Sequence, residues 1–174
     1  MKLRKMLSDL NAPYIRLLMA SIETQSKTTI VEWALNYAEK EILPLWIDRC
    51  PNDCRPQEAI KAARKWMKGE IKLPEAKAAI LECHAAARDN QEDIVAHIAA
   101  RALGQCASAI HSPRHSLGLA LYGTLALAYD LAGTDAPWEQ IEKYAAKECE
   151  RMRKALIAVS KENEQNPAVI NWRR

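Results

Sequence analysis

Four histidines are the residues best suited to chemistry in this 174-residue chain, and they fall at His84, His97, His111 and His115. His84 and His97 lie symmetrically about a polar turn centred between Asn90 and Gln91. If the flanking segments form an antiparallel helical hairpin, both imidazoles stand at one height on an apolar face, which is half of a metal site. No Glu-x-x-His pair or second ligand set accompanies them. The simpler reading is two hydrogen-bonded histidines at the core boundary. His111 lies roughly 21 Å beyond His97 along a straight helix, so the four histidines do not form one site.

The second candidate is His111-Ser112-Pro113-Arg114-His115-Ser116. Proline in a first helical turn, preceded by serine, marks a helix start, where free backbone N–H groups and the helix dipole favour an anion. His111, Arg114, His115 and Ser116 can then hold a carboxylate or phosphate. The competing reading is an ordinary cap with Ser112 at the N-cap position. No catalytic constellation emerges, and no cofactor is expected. There is no glycine-rich phosphate loop, Gly-x-Ser-x-Gly elbow or His-Glu-x-x-His. Cys50-x3-Cys54 is not the spacing of redox or zinc pairs.

Two basic stripes complete the inventory. One is Lys61, Arg64, Lys65 and Lys68 beside Trp66, and the other is Lys143, Lys147, Arg151 and Lys154. The second is interleaved with glutamates, and Glu139–Lys143 and Glu150–Lys154 sit at ion-pair spacing, so a solvated, salt-paired face is expected. The net charge of +3 and pI near 8.6 are far from those of a dedicated nucleic-acid binder.

The elements that must position these residues are helical. Alanine is abundant, there are only 5 glycines, and no strand-period alternation is present. Asn11 and Pro13 open a first helix running to about Gln25, and Ser26 caps a second. Pro44, inside that second helical pattern, predicts a kink or break near Ile42. Pro56 and Pro74 open the third and fourth helices, and the fifth covers about 92–110. Ser112-Pro113 opens a sixth, apolar nearly all round and therefore central. Asp135 caps a seventh that runs to about Glu162, and an extended tail begins at about residue 165. The expected architecture is an all-α single domain, a bundle or small array of about seven mostly antiparallel helices around that central apolar helix. Gly104 with Ser108, and Gly118 with Gly123, let the fifth and sixth helices approach closely. Phe is absent, so Trp and Tyr must anchor the core near its edges, where their N–H and O–H groups find partners.

Five cysteines, three of them within apolar helical runs, fit reduced thiols and a cytoplasmic home. Lys2, Arg4 and Lys5 imitate the start of a signal peptide, but Asp9, Asn11, Pro13 and Arg16 interrupt any apolar run after them. The apolar run 116–129 is too short to span a bilayer, so no membrane contact is expected.

Several stretches together resemble the immunity-protein-five-like family of bacterial toxin–immunity systems. They are Leu10-Asn11-Ala12-Pro13-Tyr14, Lys72-Leu73-Pro74-Glu75-Ala76, the run from Glu82 to Arg88, and the run from His111 to Ala120. Asn166-Pro167-Ala168 and Ile170-Asn171-Trp172 fit as well. The resemblance implies an all-helical bacterial cytoplasmic protein that binds and neutralises a cognate toxin domain. It transfers no catalytic residues. A nuclease partner would call for a strongly acidic inhibitor, and this chain's slight positive balance departs from that. The alternative is a helical domain, an enzyme or a simple binder, that takes up a small molecule, an anion or a metal through its histidines.

Overall fold

The computed structural model describes residues 3–173, and its regular structure is entirely helical. Helix α1 spans Pro13–Ile22. Helix α2 runs over 27–49 as three consecutive pieces, Lys27–Tyr37, a π turn at Ala38–Ile42, and Leu43–Arg49. Helices α3 (Arg55–Met67), α4 (Leu73–Asp89) and α5 (Ile94–Ser108) come next. Helix α6 covers 113–132, with a 3-10 start at Pro113–Leu117, a π turn at Leu119–Gly123 and a regular end at Thr124–Ala132. Helix α7 is the long Trp138–Val159.

The helix starts combine caps with proline. Ser26 Oγ accepts the Thr29 N–H (3.3 Å), and Asp93 Oδ1 accepts the Ala96 N–H (3.0 Å). Glu75 reaches back to the Lys72 N–H (2.8 Å) ahead of Pro74. Two expected caps move. Ala12 precedes α1, while the Asn11 amide bonds Asp9 instead. Pro137, not Asp135, precedes α7, and no side chain caps it. Helix α7 also ends earlier than predicted, so the non-helical tail begins at Ser160.

Pro44 does not break α2. Proline has no N–H, and its ring collides with the carbonyl four residues back, here that of Lys40. The chain widens by one residue just before it. The Leu43 N–H donates to the Ala38 carbonyl, five residues back, and the helix continues to Arg49. A matching π turn in α6 lies against this one. Gly123 makes the contact possible, because a Cβ there would sit 3.1 Å from Ile42 Cδ1.

Packing forms three layers. Helices α2 and α6 occupy the middle, each touching both α5 and α7. On one side lie α3, α4 and α5, and on the other α1 and α7. Helix α6 thus holds the interior position its apolar surface predicts, but α5 is enclosed as fully. Helix α5 buries Ala96, Ala99, Ala100, Ala102 and Ala107 along with Leu103 and Cys106. Alanines admit neighbours on every side, so α5 packs on α2, α3, α4 and α6 at once. The aromatic anchors keep their polar handles satisfied. Trp46 donates to the Asp53 carbonyl (2.7 Å) and Trp33 to the Met152 carbonyl (2.9 Å). No described helix is long and apolar enough to cross a membrane.

Candidate functional site

The histidines sit where α4, α5 and the start of α6 meet, but in a different grouping from the one the spacing implied. His97 faces α4, and its Nδ1 donates to the Ala87 carbonyl at 2.7 Å. Cys83 on α4 lies against Ala100 on α5, with Sγ 3.3 Å from that carbonyl. These two contacts fix the register of the α4–α5 hairpin. His84 falls further along α5, with its ring against Gly104. A Cβ at Gly104 would stand 2.5 Å from the His84 Cε1. Gly104 therefore accommodates α4 rather than α6. The close α5–α6 approach is made at Gly118, where an added Cβ would lie 2.3 Å from Gln105 Cβ.

His84 instead neighbours the α6 start. Burial is the main cause that pushes its imidazole down to about 4, helped by the positive charges of Arg101 and Arg88 and by His115. His115 donates from Nδ1 to Gln105 Oε1 (2.9 Å), and its ring meets His111 edge-on at 5.2 Å between centroids. Both His111 and His115 are also lowered, again chiefly by burial. Nearby cations add to this, namely Lys77 and Lys27 for His111, and His111 and Arg114 for His115. His97 is lowered by burial against the opposing pull of its bond to Ala87. All four imidazoles are thus biased toward the neutral form, and at the α6 start the fixed positive charge resides on Arg114.

Arg114 and His115, with Ser112, line a shallow depression of about 350 Å³, whose far wall is Ile170 and Asn171 of the tail. Ser112 occupies the N-cap position, but its side chain makes no cap bond. Ser116 is fully buried, and its hydroxyl has no hydrogen-bond partner among the described residues, as is also true of His84 Nδ1. The structure therefore brings His111, Arg114 and His115 together and adds His84, Arg101 and Gln105, while His97 stands apart. Among the described residues no group of three or more His, Cys, Asp or Glu side chains is arranged to hold a metal ion. Sequence spacing missed Gln105 and Arg101 because both sit on α5, more than a full helical turn from either histidine pair in sequence.

The cysteines are all free thiols. Cys83, Cys106 and Cys149 are buried, Cys50 is half-buried, and Cys54 is exposed. Burial raises Cys83 and Cys149 to about 12, so both remain protonated and unreactive.

The two basic stripes prove unequal. On α3, Lys61 pairs with Glu58 (2.9 Å) and Arg64 with Glu39 (2.7 Å), while Lys27 lies over the Trp66 ring. On α7, Glu150 pairs with Arg153 (2.8 Å) rather than with Lys154, and the expected Glu139–Lys143 pair is not formed. Arg151 bonds Glu148 (2.8 Å) and approaches Glu41 (3.7 Å). Lys143, Lys147 and Lys154 are exposed and have no ion-pair partner among the described residues. The salt-paired face expected on α7 is instead an uncompensated lysine stripe.

Nothing among the curated proteins or the solved structures matches the chain. A protein family does match, over residues 20–155, from the end of α1 through most of α7, and it is described as "Imm-5 like putative immunity protein". That span is more than three quarters of the chain and contains the histidine junction and the lysine stripe, and the chain belongs to this family.

Proposed function

We propose that this protein binds a cognate toxin domain and neutralises it by occlusion, covering a surface the toxin needs rather than altering the toxin chemically. The observation that carries this reading is the family match across α2 to α7. The architecture suits the role. A standard interface takes about 800 Å² from each partner, a small fraction of this molecule's 9278 Å² of accessible surface. A tightly packed helical core holds such a patch in one shape, so little ordering entropy is lost on binding.

The test is co-expression with the toxin gene encoded beside it. The expected result is restored growth of the expressing cells and a stable complex that survives gel filtration. Cells that die equally with and without this protein, together with two separate elution peaks, would remove the reading.

A further inference from the structure

The strongest uncommitted surface is the groove between α2 and the C-terminal half of α7. It encloses about 430 Å³. Trp33, Tyr37, Ala155 and Val159 form its apolar part, and Lys40, Arg151 and Lys154 stand on its rim. The aromatic residues turn their polar ends away from the groove. Trp33 donates to the Met152 carbonyl and Tyr37 to the Glu148 carboxylate. Val159 is 51% exposed and its neighbour Ile157 49%, so apolar surface continues to the end of α7.

The charge around this groove has one sign. The carboxylates in reach, Glu41 and Glu148, are already engaged by Arg151. Lys154 is not, nor are Lys147 and Lys143, which extend the rim along α7. From Lys143 to Lys154 the stripe runs about 16 Å at helical rise. Lys40 on α2 adds a further cation, 82% exposed, with only a distant contact (3.9 Å) to Glu41.

We infer that the α2–α7 groove is the toxin-docking surface, and that it receives an acidic segment of the toxin domain. One apolar side chain of that segment seats over Trp33 and Ala155, and its carboxylates run along Lys143, Lys147 and Lys154. The inference rests on the immunity reading above. Charge complementarity selects this occupant. A second copy of this chain would set lysine stripe against lysine stripe, and the apolar part gives a nucleic-acid backbone nothing to bond.

Two variants probe the surface against the toxin domain encoded beside this gene. The triple variant Lys143→Glu, Lys147→Glu, Lys154→Glu changes exposed positions only, and it should melt like the parent chain. Its binding should weaken about tenfold or more, mostly through slower association, with a flatter salt dependence. Ala155→Gln fills the groove without changing charge. It should weaken binding through faster dissociation and leave the salt dependence as it was.

If the parent chain binds the toxin and both variants, folded, bind within twofold of it, the groove is not the docking surface and the immunity reading stands. If the parent chain shows no toxin binding, both fall. If the parent chain binds duplex or single-stranded DNA with a steep salt dependence that the triple variant abolishes, the stripe serves nucleic acid and the inference is overturned.

Discussion

Gly118 and Gly104 lie within helices at ordinary helical angles, where alanine is favoured over glycine by about 1 kcal/mol. Both positions nevertheless exclude a side chain, and for reasons of different severity. At Gly118 a Cβ meets the Cβ of Gln105, which moves only with the α5 backbone. At Gly104 it meets the outer atoms of the His84 ring, which can rotate away. Gly118→Ala should therefore lose about 1–3 kcal/mol to overpacking, and Gly104→Ala should lose less. Urea unfolding of the two variants checks the order, and a Gly118→Ala protein as stable as the parent would contradict it. The sequence pointed correctly to glycines that let helices approach, but assigned Gly104 the wrong neighbour. The same offset separated His84 from His97. Reading the pair as level assumed a turn symmetric about 90–91, whereas the Ala87–His97 and Cys83–Ala100 contacts shift the register. Side-chain packing across the hairpin sets that shift, and spacing in one chain does not record it.

At the scale of the element, the seven helices were legible because prolines and caps mark their starts and apolar periodicity marks their faces. The two π turns were not. The one in α2 left a trace, since Pro44 announced a disturbance, but the outcome was a wide turn and not a break. The one in α6 left none, because its run of Leu119, Ala120, Leu121 and Tyr122 is compatible with an ordinary helix. What supports it is Thr124, whose hydroxyl donates to the Ala120 carbonyl at 2.6 Å. A π turn shifts the backbone donors by one residue, and the threonine supplies a bond to this buried carbonyl. Thr124→Val keeps the shape and removes the donor, so it should cost about 1–3 kcal/mol. Calorimetric melting with no shift would show that the turn stands without it.

Across the whole molecule, the tail after α7 is tied back to the far end of the chain. Gln25, 3% exposed, accepts the Lys161 N–H on its side chain (2.8 Å), and its backbone carbonyl accepts the Ala168 N–H (2.8 Å). Trp172 donates to Glu23. These ties join the α1–α2 turn to a segment beyond residue 155, where the family match ends. Gln25→Leu strands the Lys161 amide, so the tail should open locally while the helical core holds. Limited proteolysis should then cut within 160–173 several times faster, with little change in the melting of the core. Unchanged cleavage would mean the backbone bond at Ala168 suffices. The tail's extended character was readable from Asn166-Pro167, but its anchorage was not, because Gln25 and Lys161 are 136 residues apart.

The paired π turns also constrain how this chain can change in length. Each residue of a helix advances the face by about 100°. Deleting one residue within 119–123 would restore an ordinary α6 locally but swing everything from Thr124 to Ala132 by that angle, carrying Leu125 and Ala128 out of the core. A deletion within 38–42 would do the same to Leu45 and Trp46. A lineage that carries both extra residues can shed neither alone without losing half a helix from the interior, so the helical phase of this core is inherited as a unit.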